Sequence, residues 1–237
     1  MDKCFDGICF IFDNDGVIVD TEPGHFLARC EALLPLGICL TKERYIRDGI
    51  SRGHREFLSS VVPVDKLLPD GYDRFFHEEI QARYHAWREN NLRLVDGFGD
   101  LFRFLADNNA SLAVASTQPR AMVESGLRRC FSPLTMECFR IIVSGEEVKN
   151  NKPAPDVYLE AARRLGVEPA NCLAVEDSVS GVSAAKAAGT LCVARRNEWA
   201  NDGALIAAGA DALCAFDYHD FLILARIVLR KHQLGRS

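Results

Sequence analysis

With 237 residues, 48% of them hydrophobic and 26% charged, the chain is long enough for one sizeable core domain and a smaller module, and too apolar to stay disordered. A net charge of −5 argues against a general affinity for nucleic acid, because binding a phosphate backbone rests on a basic surface whose counterion release rewards contact; any anionic ligand must be met by a local site. Nine cysteines, with no C-x-x-C pair and with Cys9, Cys172, Cys192 and Cys214 inside apolar runs, read as reduced core thiols of a cytoplasmic protein rather than a zinc site or a disulfide framework.

The first predicted element is a strand at 8–12. The stretch 1–12 is too short and too interrupted for a signal peptide, and no run of about 18 apolar residues follows, so neither export nor contact with a membrane is expected. Between 20 and 91 strand-like runs give way to helical spacing. Thr21-Glu22-Pro23 makes a helix start, followed by Phe26, Cys30 and Leu33 or Leu34 at turn-like intervals. Phe76, Ile80, Tyr84 and Trp87 line one face of a further helix as an ordinary core stripe. Val95-Asp96-Gly97 leads back to strand-like runs at 112–115, 140–143, 172–175, 191–194 and 212–215. These runs lack polar alternation, as strands buried on both faces of a parallel sheet do. Pro155 and Asp156 open a helix carrying Val157, Ala161 and Leu165, with Gly166 placed to stop it, and Ser178 caps the next, which runs to Gly189. The expected fold is α/β: a doubly wound, Rossmann-like parallel-sheet core at 1–19 and 92–237, with an α-helical cap domain at 20–91 inserted after the first strand. The connections at 16–20 and 92–97 are the expected hinges.

Chemistry concentrates where these strands end. Asp13-Asn14-Asp15-Gly16 follows the first strand, and open parallel sheets bind ligands at the carboxyl ends of their strands. Two carboxylates this close can divide labour, one holding a hard cation and attacking, the other carrying a proton. Alone, the pattern also suits a simple turn; a calcium loop does not fit, since Val17 and Ile18 stand where its glycine is needed. Ser116-Thr117 ends the second strand, as a hydroxyl at the same sheet edge or as a turn before Pro119. Lys152 precedes a helix start in a loop restricted by Pro153 and Pro155, where a solvated lysine is the plain alternative. Glu176-Asp177 ends the fourth strand, as site acids or as helix-capping ones.

Taken in order, Asp13-x-Asp15-Gly16, Ser116, Lys152-Pro153 and Glu176-Asp177 resemble the four motifs of haloacid-dehalogenase-superfamily hydrolases, over nearly the whole chain. The resemblance implies a nucleophilic Asp13 that forms an aspartyl-phosphate. It implies Mg²⁺ held by Asp13, the backbone carbonyl of Asp15 and Asp177, with help from Glu176. Ser116 would bond a phosphoryl oxygen, Lys152 would balance charge, and Asp15 would act as general acid and then base. The superfamily's dehalogenases lack an acid at the position of Asp15, which argues against that activity. The interval between Ser116 and Lys152 is too short for a separate domain, so the cap is the helical kind inserted after the first motif.

That cap resembles those of β-phosphoglucomutase and its sugar-phosphatase relatives, through His25 in Thr21-Glu22-Pro23-Gly24-His25-Phe26 and through Gly49-Ile50-Ser51-Arg52. The resemblance makes Arg52 a ligand of a second phosphate and adds His25; Thr117 and Arg120, beside Ser116, complete the expected substrate-binding set with Lys152. Tyr84-His85-Ala86-Trp87 lacks the mutases' cap lysine, and Thr117-Gln118-Pro119-Arg120 departs from their second-phosphate pocket. The expectation is therefore a Mg²⁺-dependent phosphatase of a small phosphorylated metabolite, a sugar or polyol phosphate. A β-phosphoglucomutase-like mutase is the alternative, and a non-enzymatic binding protein, which predicts a damaged acid set, the third.

Overall fold

The computed structural model describes residues 8–50, 54–63, 66, 71–215 and 218–234. The chain divides into two compact units, Met1–Asp20 with Arg93–Ser237, and Thr21–Leu92.

In the larger unit six parallel strands form one sheet: β1 Cys9–Phe12, β2 Ser111–Ala115, β3 Phe139–Val143, β4 Cys172–Glu176, β5 Leu191–Arg195 and β6 Ala212–Cys214, in the order β3-β2-β1-β4-β5-β6. This is the doubly wound arrangement expected from the apolar runs. Side chains alternate between the two faces of a strand, and here the faces differ in kind. On one, Cys9 and Ile11 join Ala113, Ala115, Cys172, Ala174, Cys192 and Ala194, small residues that let helices Asp156–Leu165 and Val179–Ala187 bring Tyr158, Ala161, Val182 and Ala185 into the same buried cluster. On the other, Phe10 and Phe12 meet rings from helices Phe98–Asp107 and Tyr218–Leu234, Phe12 edge-on to Phe98 at 5.2 Å and Phe10 tilted against Phe221 at 6.4 Å. Gly166, at φ +72°, ends helix Asp156–Leu165, and Ser178 caps helix Val179–Ala187 by accepting from the Gly181 amide at 3.0 Å.

The chain enters at β1, steps outward through β2 and β3, and then crosses back to β4 beside β1. The order reverses between β1 and β4, so the carboxyl ends of β2, β1 and β4 flank the switch point of the sheet. All eight cysteines among the described residues are unbridged, and Cys9, Cys172, Cys192 and Cys214 are buried. No helix among the described residues is long and apolar enough to cross a membrane.

The smaller unit is helical. Its first helix, Glu22–Leu33, buries Gly24, Ala28 and Ala32 along one line and Leu33 at its end, whereas Phe26 and Cys30 are only half-buried and Leu34 is exposed. A Cβ at Gly24 would overlap the Trp87 ring, so the bare glycine is what admits helix Ala82–Asn91 at that spacing. Ile80 and Tyr84 are buried and Phe76 and Trp87 half-buried, a core stripe continuing through the π-helical turn Phe76–Gln81. Where the chain leaves and re-enters the larger unit, the two connections run side by side: Asp20 N donates to Arg93 O and Val95 N to Ile18 O, each at 2.9 Å, and Arg93 Nη2 pairs with Asp20 Oδ2 at 2.7 Å.

Candidate active site

Asp13 leaves β1 with its backbone N–H bonded to Val175 O in β4 at 2.9 Å, which fixes it over the switch point. The turn that follows is tight: Gly16 N donates to Val19 O at 2.8 Å, and both Ile18 N and Val19 N reach Asn14 O at 3.0 Å. Gly16 sits at φ +77°, and a Cβ there would also overlap the Asp177 carboxylate, so glycine is required twice over. Asp15 is half-buried in this turn and accepts from Asn14 Nδ2 at 3.1 Å.

Lys152 joins three strand ends. Its ammonium donates to Asp13 Oδ1 at 2.5 Å, to Glu176 Oε1 at 2.6 Å and to Ala115 O, the last carbonyl of β2, at 2.9 Å, so all three protons are used. The side chains of Lys152 and Glu176 are 5% and 0% exposed. Glu176 Oε1 also accepts the Tyr158 hydroxyl, while Oε2 accepts the Asp177 amide at 3.2 Å and the Ser178 hydroxyl at 3.4 Å. Both oxygens of Glu176 are thus engaged within the protein. Ser116 is buried beside Ala115; its amide bonds to Val143 O at 3.0 Å, and its hydroxyl accepts from Gln118 N at 3.1 Å while its own hydrogen remains a donor. Thr117 follows it and is exposed.

The electrostatics are short of positive charge. Burial works against the Asp13 carboxylate, the charges of Glu176 and Asp15 add to that, and Lys152 offsets only part; the pKa of Asp13 is pushed up to about 8. Burial also works against the lysine, but Asp13 and Glu176 outweigh it and hold the ammonium protonated. Asp13, Glu176 and Asp177 each offer a carboxylate oxygen within 4.8 Å of the others. An all-oxygen cluster carrying more negative than positive charge is chemistry that suits a hard divalent cation.

Two residues absent from the sequence-based set reach this site from β5. Arg195 Nη1 donates to Gly16 O at 2.8 Å, and Asn197 Nδ2 to Asp177 Oδ2 at 3.1 Å. Tyr158 is a third. Only the rule that ligands gather at strand ends could have pointed to the first two.

Arg120 has other partners. Its guanidinium donates to Ile142 O at 2.5 Å and pairs with Glu147 at 2.8 Å and Glu124 at 3.2 Å, beside the edge strand β3. These bonds engage Nη1 and Nη2 of a group with five N–H donors, so within the fold Arg120 serves the β3 edge, while the sequence reading places it with the substrate-binding residues. His25 belongs to the smaller unit, stacked on Tyr84 with ring centroids 3.8 Å apart. Arg52 lies outside the described residues.

The family model of haloacid dehalogenase-like hydrolases matches residues 9–189. Protein CbbY of Rhodobacter capsulatus is 35% identical over 199 residues, 80% of this chain and 85% of that one. The phosphorylated carbohydrates phosphatase of Thermotoga maritima is 34% identical over 207 residues, 86% and 92% of the two chains. The crystal structure of a putative beta-phosphoglucomutase from Thermotoga maritima superimposes with a TM-score of 0.70 at 29% identity, covering 91% of this chain and 98% of that one. With Asp13, Ser116, Lys152 and Glu176-Asp177 gathered around the ends of three adjacent strands, the chain belongs to the haloacid dehalogenase-like hydrolases.

Proposed function

We propose that the protein is a Mg²⁺-dependent phosphatase of a small phosphorylated metabolite, a sugar or polyol phosphate, with Asp13 as nucleophile. The observation that carries the reading is the buried Asp13–Lys152–Glu176 arrangement, which pins one carboxylate oxygen of Asp13 and leaves the group aimed from the end of β1. The likeness to a phosphorylated carbohydrates phosphatase supports the substrate class.

Asp13 attacks phosphorus in line, the ester P–O bond breaks, and Asp15 gives its proton to the departing alkoxide oxygen. Asp15, now ionised, then takes a proton from the water that attacks the aspartyl-phosphate, releasing inorganic phosphate and restoring Asp13. Lys152 stays charged throughout and offsets charge on Asp13 and on the transferring group, while the Ser116 hydroxyl and the neighbouring Thr117 hold a phosphoryl oxygen. Asp13, Asp177 and the backbone carbonyl of Asp15 are the residues that would hold Mg²⁺. Glu176, whose oxygens are taken by Lys152, Tyr158, Ser178 and the Asp177 amide, acts through the lysine. When bound, the cation supplies Lewis-acid charge that offsets the repulsion between an anionic nucleophile and an anionic substrate. His25 and Arg52 remain the proposed substrate-selecting residues of the cap.

The likeness to a putative beta-phosphoglucomutase favours a second reading, in which a sugar hydroxyl replaces water in the second step. A panel of sugar and polyol mono- and bisphosphates, assayed with Mg²⁺ for free phosphate, tests both. Phosphate release by wild type and none by Asp13→Ala is expected. Rapid conversion of glucose 1-phosphate to glucose 6-phosphate with negligible free phosphate would overturn the phosphatase in favour of the mutase.

A further inference from the structure

The loop after β5 is braced at every step. Arg196 N donates to Cys214 O at the end of β6 at 2.6 Å, and Arg196 Nε pairs with Asp202 at 2.8 Å. Trp199 is buried, and Asn201 caps the helix Asp202–Ala207 by accepting from Ala204 N at 3.0 Å. Asn197 stands inside this frame. Its Oδ1 accepts the Trp199 N–H at 2.8 Å, which settles the orientation of the amide: the other end, an NH₂ that can only donate, must face Asp177 Oδ2 at 3.1 Å. Two residues earlier, as the last residue of β5, Arg195 holds the Gly16 carbonyl and so ties down the turn that carries Asp15. The end of β5 and its loop thereby touch both halves of the acidic cluster, the β1 turn and the β4 end, without contributing a carboxylate to it.

We propose that Asn197 is a positioning residue of the cation site: by donating to Asp177 Oδ2 from a rigid loop, it orients that carboxylate before a divalent cation arrives, while Arg195 fixes the facing turn. The inference rests on the reading of Asp177 as a ligand. Its physical basis is that an acidic ligand free to rotate must be ordered when the metal binds, whereas one already held by a braced donor is ordered in advance. Outer partners of this kind change metal affinity by roughly 10–100-fold when removed.

The test is direct Mg²⁺ binding by calorimetry, with the Mg²⁺ dependence of phosphate release as a second readout. Asn197→Ala should raise the Kd for Mg²⁺ at least roughly tenfold. Its kcat and substrate KM should return to wild-type values at saturating Mg²⁺, and its melting temperature in EDTA should fall by no more than the lost Trp199 N–H bond accounts for. If the alanine variant does not fold, Asn197→Ser keeps an acceptor for the Trp199 amide but is too short to reach Asp177, and carries the same expectation. An unchanged Kd in a folded Asn197 variant, with binding lost in Asp177→Ala, overturns this inference and leaves the metal reading standing. No binding by the wild type, or undiminished binding by Asp177→Ala, overturns the metal reading itself and the positioning role with it.

Discussion

Tyr158 donates its phenolic hydrogen to Glu176 Oε1, the same oxygen that accepts from Lys152 Nζ at 2.6 Å. Both partners are sealed from solvent, and burial together with the charges of Glu176 and Asp13 raises the pKa of the phenol well above its ordinary value. Tyr158 is therefore a permanent donor that fixes how Glu176 faces the lysine. Tyr158→Phe keeps the ring and deletes the donor, and leaving a buried carboxylate one partner short costs about 1–3 kcal/mol. Urea unfolding should register that loss. If about 1.4 kcal/mol of it is felt in the transition state, kcat falls roughly tenfold with little change in KM. A phenylalanine variant as stable and as active as wild type would show that Lys152, Ser178 and the Asp177 amide hold Glu176 without it.

Gly181 makes a prediction of opposite sign to propensity. It is the third residue of helix Val179–Ala187, where alanine ordinarily favours a helix over glycine by about 0.5–1 kcal/mol. A Cβ here would overlap the Glu176 carboxylate, which cannot swing aside while Lys152, Tyr158 and the Asp177 amide hold its oxygens. Gly181→Ala is expected to lower stability by about 1–3 kcal/mol, as overpacking does. A melting temperature that rises instead would mean that Glu176 has room to move.

Arg120 separates a structural role from a binding one. Glu147 accepts from Arg120 and Arg164, and closes a capping box by accepting from the Ser144 amide at 2.8 Å and the Ser144 hydroxyl at 2.7 Å. These bonds hold its pKa down to about 2 against the opposing effect of burial. The pairs are partly exposed, so Arg120→Ala should cost about 1 kcal/mol or less in stability. Its kcat/KM for the best phosphate ester should stay at the wild-type value. A large rise in KM with no loss of stability would return Arg120 to the substrate.

The difference between what the sequence disclosed and what it hid is physical. The central strands announce themselves because burial on both faces demands apolar runs, more clearly than the half-buried edge strands β3 and β6, and Asp13, Ser116, Lys152 and Glu176-Asp177 stand out because the chain presents each at a strand end or a proline-bounded loop. Tyr158, inside a helix, carries no such mark, and Arg195 and Asn197 share the strand-end position without a motif around them. Each acts across elements distant in sequence, on Glu176, Gly16 and Asp177 respectively, so only the folded register brings out its partner. The first helix of the smaller unit misleads for a related reason. Its buried line is Gly24, Ala28 and Ala32, chosen for close approach to a neighbouring helix; bulky apolar spacing finds the buried Leu33 but leaves Leu34 as its alternative and adds Phe26 and Cys30, which are only half-buried. Arg120 follows Ser116 closely along the chain, and that adjacency does not reveal its bonds to Glu147 and Ile142 O.

His25 supplies a test by pH. Burial, with the positive charges of Arg29, Arg88 and His85 adding to it, pushes its pKa down from 6.5 to about 3, so the ring stacked on Tyr84 is neutral at pH 7. A neutral imidazole offers a hydroxyl a hydrogen bond; it does not offer a phosphate a charge. In the unfolded chain His25 titrates near 6.5, and below that pH the unfolded state binds a proton that the folded one refuses. Stability from this group is therefore fully present above pH 6.5 and falls on acidification, by up to about 1.4 kcal/mol per pH unit, until the folded value near 3 is reached. Ordinary carboxylates remain largely ionised between pH 7 and 5.5, and comparison with His25→Gln cancels the chain's other five histidines in that window. Urea unfolding can be followed through Trp87 fluorescence in a Trp199→Phe background, since these are the chain's two tryptophans and Trp87 belongs to the same unit as His25. Over that window the protein with His25 should lose about 1 kcal/mol more than its His25→Gln counterpart. Parallel losses in the two would mean that folded His25 protonates as readily as unfolded, and a cationic, phosphate-facing His25 would then be the better description of the cap.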